Sequence, residues 1–122
     1  MGKTILIVDD SATIRQVVGM TLKTAGYDVI DACDGRDALR KLDGKKINLI
    51  ISDVNMPNMD GISFVREAKK LASYKFTPII MLTTESQDSK KQEGQAAGAK
   101  AWVVKPFQPE QMLAAVAKLI MP

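Results

Sequence analysis

The sequence predicts an α/β domain: a doubly wound, five-stranded parallel sheet with helices on both faces. Three observations predict it. Five short apolar runs alternate with longer segments whose apolar residues recur at helical spacing. Three of the runs are almost continuously apolar, as strands buried on both faces of a parallel sheet must be. The 122 residues are 46% hydrophobic, enough for one core without disulfide support.

Thr4–Val8 reads as the first strand. Ile14, Val17, Val18, Thr21, Leu22 and Ala25 then recur as the inward stripe of a helix, with Ser11 available as its cap and Gly26 as its stop. Tyr27–Ala32 alternates polar and apolar residues, which suits an edge strand. Ala38, Leu39 and Leu42 mark a second helix ending near Gly44. Asn48–Ser52 is the third strand. Asp60 caps a third helix that turns Ile62, Val65, Ala68 and Leu71 inward. Pro78–Leu82 is the fourth strand. The stretch Gln87–Ala99 is polar, with Gly94 inside and mostly alanines to bury, and predicts a weakly anchored helix. Ala101–Val104 is the fifth strand. Pro109 suits the first position of a fifth helix that buries Met112, Leu113, Val116, Leu119 and Ile120. Right-handed crossovers then put helices on both faces. No linker or repeat interrupts the pattern, and the expectation is a single domain over residues 1–122 with no output domain.

Composition narrows the chemistry. Cys33 is the only cysteine, so no internal disulfide can form, and it reads as a small buried residue or a bystander. No apolar run is long enough for a signal peptide or a membrane span, and the expectation is a cytoplasmic protein. The net charge of +3 is dispersed and aromatics are few, which argues against a nucleic-acid face. Histidine is absent, which removes Ser-His-Asp and Cys-His nucleophiles, histidine bases and histidine-bound metals.

Ligands of such sheets sit beyond the carboxyl ends of the strands. Asp9 and Asp10 follow the first strand, Asp53 ends the third, Thr83 and Thr84 follow the fourth, and Lys105 follows the fifth. Three carboxylates therefore converge with a hydroxyl and an ammonium group. Two bare carboxylates about 4 Å apart repel by roughly 4 kcal/mol at an effective dielectric near 20. A hard cation relieves this, and Mg²⁺ suits a few carboxylates plus a phosphate oxygen. A carboxylate can itself attack phosphorus to form an acyl phosphate, and such a transfer requires mainly positioning and charge neutralisation. The phosphate would come from chemistry at Asp53. Lys105 neutralises the phosphoryl oxygens, and Thr83 donates a hydrogen bond to one of them.

Asp9-Asp10, Ser52-Asp53-Val54-Asn55-Met56-Pro57 with Asp60-Gly61, Thr83, and Lys105-Pro106-Phe107 resemble the receiver domains of bacterial two-component systems. The resemblance covers the whole chain. Asn55 to Gly61, and Glu85 two residues after Thr83, look most like the chemotaxis regulators of the CheY type. The flavodoxin-like strand order 2-1-3-4-5 is the known order of those regulators; this resemblance implies it, and the residue pattern does not. The resemblance further implies that Asp53 is the phosphoacceptor, and that Asp10 and Asp53 bind Mg²⁺ (or Mn²⁺ in its place) through side chains. Asn55 would add its backbone carbonyl, and Asp9 would act through a metal-bound water. Lys105 would pair with the phosphoryl group while Thr83 turns towards it. Asn55 and Glu85 would tune the lifetime of the phosphoryl group, and the Lys105–Pro106 bond would be cis. Trp102 stands where the family usually has Tyr or Phe, three residues before the lysine, and so takes the place of the aromatic switch. Indole is larger and its N–H needs a partner when buried, so full inward rotation should be harder or differ in geometry.

The implied partners are a CheA-like sensor histidine kinase and then a target such as the flagellar motor switch or a phosphatase, with the chain a monomer and neither nucleic acid nor membrane involved. It would catalyse its own phosphoryl transfer and slow autodephosphorylation without being a turnover enzyme. A stand-alone receiver can also act as a phosphate sink or a phosphorelay intermediate. Two further classes compete. A haloacid-dehalogenase-like phosphatase also uses an aspartate nucleophile with Mg²⁺, but usually places its two acids one residue apart on the first strand. A flavodoxin-like flavin binder needs a Ser/Thr/Gly-rich phosphate loop where this chain has Asp9-Asp10.

Overall fold

The computed structural model describes residues 2–56, 58–83, 88–105 and 108–121, with the backbone alone for 88–91. Five strands alternate with five helices: β1 (Thr4–Val8), α1 (Ala12–Thr24), β2 (Asp28–Ala32), α2 (Gly35–Lys41), β3 (Leu49–Asp53), α3 (Gly61–Lys70), β4 (Ile79–Thr83), α4 (Asp88–Ala97), β5 (Ala101–Val104) and α5 (Pro109–Leu119). The strands form one all-parallel sheet in the order β2-β1-β3-β4-β5. The doubly wound class and the 2-1-3-4-5 order are both as expected.

Alternation along each strand builds two cores. Leu6, Val8, Ile50, Ile79 and Met81 face α2, α3 and α4, where Ala38, Phe64, Val65 and Ala68 meet them. Ile5, Ile7, Leu49, Ile51, Ile80, Leu82 and Val103 face the opposite way, onto Val18 and Leu22 of α1 and Met112 and Val116 of α5. The three central strands thus bury both faces, which is why their sequences are almost continuously apolar. Edge strand β2 keeps Asp28 and Asp31 exposed, as its alternation requires.

Helix starts follow their caps. Ser11 Oγ accepts from Ile14 N at 3.3 Å, Asp34 Oδ1 from Asp37 N at 2.8 Å and Asp60 Oδ1 from Ser63 N at 2.8 Å. Pro109 opens α5. Gly26, at φ 100°, follows the end of α1 in the left-handed region that only glycine enters freely.

Several burial expectations are corrected. Val17 is 45% exposed and Ala25 is also exposed; the inward stripe of α1 is Val18, Gly19 and Leu22. At Gly19 the helix faces the sheet, and a Cβ there would stand in ordinary contact at 3.7 Å from Val29 and 3.8 Å from Ile7. Leu71 falls after the end of α3 and is exposed, while Phe64 is completely buried in its place. Leu113, Leu119 and Ile120 are only half-buried beside buried Met112 and Val116. Cys33 is exposed, which removes the buried alternative and leaves it a bystander. No described helix is long and apolar enough to cross a membrane.

Candidate phosphorylation and metal site

The winding direction of the sheet reverses between β1 and β3, and the crevice beyond their carboxyl ends is where doubly wound folds bind ligands. Both strands deliver acids there. Asp53 is the last residue of β3 and Thr83 the last of β4, each one residue later than the sequence pattern places the strand end. Asp9 and Asp10 follow β1 directly. Asp9, Asp10 and Asp53 can each offer a carboxylate oxygen, and these oxygens lie within 4.8 Å of one another. Asp9 and Asp53 are buried and Asp10 is exposed.

Lys105 completes the cluster. Its Nζ lies 3.2 Å from Asp53 Oδ1, to which it donates, and 3.4 Å from Asp9 Oδ2. Its backbone N–H donates to the Thr83 carbonyl at 2.6 Å, so the β4–β5 pairing carries the lysine to the site. Thr83 itself is buried between the acids and β5.

The frame around the acids is tightly specified. Asp9 N donates to the Ala32 carbonyl at 3.1 Å, and Asp9 Oδ1 accepts from Ser11 N at 2.9 Å. Arg15 Nη1 donates to the Asp9 carbonyl at 2.7 Å, while Arg15 Nε donates to Asp31 Oδ2 at 3.0 Å. Sequence reasoning missed Arg15, because its role appears only once the first turn of α1 stands over the end of β1. On the other wall, Val54 N donates to Asp53 Oδ1 at 2.9 Å and Gly61 N to the Val54 carbonyl at 2.8 Å. A Cβ on Gly61 would lie 1.9 Å from the Asp53 carbonyl oxygen, so only glycine fits beneath Asp53.

Electrostatics mark the cluster as a place for positive charge. Burial, then the neighbouring Asp9 carboxylate, pushes the Asp53 pKa up to about 6 against the pull of Lys105. Burial likewise raises Asp9. For Lys105 burial opposes the charge, but Asp53 and Asp9 together outweigh it and its pKa is raised. Asp9 Oδ2 is buried with no hydrogen bond among the described residues. One ammonium group thus serves two of the three carboxylates, and the Asp9 oxygen it pairs with but does not hydrogen-bond, together with the all-oxygen donor set, fits a hard divalent cation.

The remaining expected residues divide. Asn55 is exposed in the loop after β3, two residues from Asp53. Trp102 is half-buried on β5 beside Met81 and packs against the core under α2, α3 and α4. Its ring lies beneath α4 at Gly94, where a Cβ would come within 2.5 Å of Trp102 Cζ3. Pro57, Thr84, Glu85, Pro106 and Phe107 lie outside the described residues, and with them the lifetime position at Glu85 and the isomer of the Lys105–Pro106 bond.

Comparison with known proteins matches residues 5–117 to the response regulator receiver domain. Protein PilG of Pseudomonas aeruginosa is 37% identical over 94% of this chain and 85% of its own length. The structure of the Vibrio cholerae chemotaxis protein CheY4 is 51% identical and superposes with a TM-score of 0.93 over 98% of this chain and 99% of that one. The receiver domain of the Pseudomonas aeruginosa sensor histidine kinase PA1611 is 27% identical, with a TM-score of 0.89 over 98% of both chains, and holds a magnesium ion in its active-site cleft. Other curated relatives are transcriptional regulators, and the chain spans about half their length, 47–50% in three of them. Receiver domains are regulatory phosphoacceptors, generally not turnover enzymes. A family match over nearly the whole chain, with a half-identical chemotaxis structure that superposes end to end, makes this chain a member of the response regulator receiver family.

Proposed function

We propose that the chain is a phosphorylation-activated switch that accepts a phosphoryl group on Asp53 from a histidine kinase. The observation that carries this reading is the convergence of Asp9, Asp10, Asp53 and Lys105 at the carboxyl ends of β1, β3 and β5. Asp10 and Asp53, with the Asn55 carbonyl, would hold Mg²⁺, and Asp9 would act through a water. When bound, the ion neutralises phosphoryl oxygens and the carboxylates around them.

Asp53 Oδ attacks the phosphorus of a phosphohistidine, the P–N bond breaks, and the imidazole leaves. Lys105 moves its ion pair from the Asp53 carboxylate to a phosphoryl oxygen, and Thr83 donates to another. Each charged hydrogen bond of this kind contributes roughly 1.5–3 kcal/mol, so two or three can drive the about 5.5 kcal/mol shift that turns a 1:99 equilibrium into 99:1. Trp102, packed under α4, is the aromatic that would carry the change to the α4–β5 face. Asn55 and Glu85 would set how long the phosphoryl group lasts. The half-identical CheY4 favours a chemotaxis target such as the flagellar motor switch, reached by a single receiver domain.

Incubation with a small-molecule phosphodonor and Mg²⁺, followed by mass spectrometry, tests the chemistry. One phosphoryl adduct on Asp53, absent in Asp53→Asn and without Mg²⁺, is expected. An unmodified Asp53 under these conditions overturns the proposal.

A further inference from the structure

We propose that Asp34 is a positioning residue for this site: with Asn58 it forms a strut that holds the β3–α3 loop, and Asn55 within it, at a fixed distance from the Asp9–Asp10 wall. The inference rests on the reading of Asp10, Asp53 and Asn55 as a metal-dependent phosphoryl site.

Asp34 sits in the turn between β2 and α2. It is buried, and both of its oxygens are used. Oδ1 caps α2 by accepting from Asp37 N at 2.8 Å, and Oδ2 accepts from Asn58 Nδ2 at 2.8 Å. The Asp37 N–H and then the Asn58 amide hold the Asp34 carboxyl below the usual carboxylate range. A helix cap needs only the first of these bonds. The second crosses 24 residues of sequence to reach the tip of the loop that follows the acceptor.

Asn58 is an unusual anchor point. It is the only described residue other than glycine with a positive φ, at 69°, a conformation that costs most residues about 1–2 kcal/mol and that asparagine tolerates better. The neighbouring contact is also close. A Cβ on Gly35 would stand 2.8 Å from Met59 Cβ and 2.9 Å from the Met59 carbonyl oxygen. The start of α2 and the tip of the loop therefore meet at two adjacent residue pairs, one polar and one steric.

The consequence for the site follows from connectivity. The loop is closed at its base by Gly61 N on the Val54 carbonyl. Its tip is fixed by Asp34. In the sequence Asn55, Met56 and Pro57 lie between the clamped residues Val54 and Asn58. The segment that carries Asp34 also holds the opposite wall, because the Ala32 carbonyl accepts from Asp9 N at 3.1 Å. Residues 32–34 thus bond to the Asp9 backbone through one end and to the Asn58 side chain through the other. That links the two sets of ligands a metal would need at one spacing, although neither Asp34 nor Asn58 touches a ligand side chain itself.

Three variants separate the strut from the cap. Asp34→Asn keeps an oxygen for Asp37 N but turns an amide nitrogen on Asn58 Nδ2. Asn58→Gly keeps the positive φ and removes the donor. The double variant Asp34→Asn/Asn58→Asp restores the pair with donor and acceptor exchanged. Mg²⁺ binding to the unphosphorylated proteins, measured by titration calorimetry, should weaken by more than about twofold in each single variant. It should return to within about twofold of wild type in the double variant. Urea unfolding without Mg²⁺ reports the cap separately. Unchanged Mg²⁺ affinity in the single variants, whatever their stability, would show that Asp34 is a helix cap alone. Failure of the exchanged pair to restore affinity also overturns the strut. If wild type binds no Mg²⁺, the metal reading fails first and the strut falls with it.

Discussion

Burial and the Asp9 carboxylate hold Asp53 at a pKa of about 6, and this has a sign that can be measured. The folded protein keeps a proton on Asp53 that the unfolded chain releases near the ordinary carboxyl value of 3.8. The stability this confers is complete at low pH and is lost as pH rises through about 6. At pH 8 the ionised Asp53 then costs at most about 3 kcal/mol relative to an unshifted carboxyl. Asp53→Asn should therefore stabilise the protein by roughly 1–3 kcal/mol at pH 8, with the gain shrinking at pH 5. Urea denaturation at both pH values checks this, and destabilisation at pH 8 would mean that the Lys105 ion pair outweighs the burial cost. Gly61 makes an opposite case. Its Cβ-sized space is filled by the Asp53 carbonyl at 1.9 Å, and Gly61→Ala should cost more than about 3 kcal/mol or prevent folding, as thermal melts would show.

Among the elements, α4 is held differently from the other helices. Its sequence is polar, and Gly94 is its buried residue among those whose side chains are described. That glycine seats the Trp102 ring. A residue that weakens a helix by about 1 kcal/mol relative to alanine is thus placed where the helix meets the largest side chain on β5. Gly94→Ala should gain nothing from propensity. Its Cβ would lie 2.5 Å from the ring, so either the indole or α4 must move. We expect a loss of about 1–3 kcal/mol and a shift in Trp102 fluorescence, with Trp102→Phe in the same background restoring most of the stability. Faster amide exchange confined to α4 would place the yielding part in the helix. An unchanged melt and unchanged emission would show that the ring is not seated there.

At the scale of the whole molecule, the acidic cluster couples ligand binding to folding. The unfolded chain does not bring Asp9, Asp10 and Asp53 together, so a cation that binds them stabilises only the folded state. At a concentration a hundredfold above its dissociation constant, Mg²⁺ should raise the unfolding free energy by about 2.7 kcal/mol. Thermal melts with and without Mg²⁺ would read this, and Asp10→Ala should abolish the increment. An equal increment in Asp10→Ala would place the ion elsewhere. The expected rise runs against the pH effect of Asp53, because the ion relieves the same repulsion that a proton relieves.

The sequence by itself determined the class of fold and which acids and lysine gather at the carboxyl end of the sheet. Unbroken apolar runs at Thr4–Val8 and near residues 49 and 79 can only be buried strands, and chemistry-bearing residues just beyond them must gather at one end of a parallel sheet. That is why Asp9, Asp10, Asp53, Thr83 and Lys105 were legible without coordinates. Periodicity alone did not fix which side of α1 faces inward, because Val17 and Val18 are equally apolar and only the packing on the sheet buries one and exposes the other. Nor did it reveal Arg15 over the Asp9 carbonyl, the seat of Trp102 on Gly94, or the bond from Asp34 to Asn58. Those contacts join residues on different elements at distances set by packing. Local pattern records which face a residue turns, and only the tertiary structure decides what that face meets.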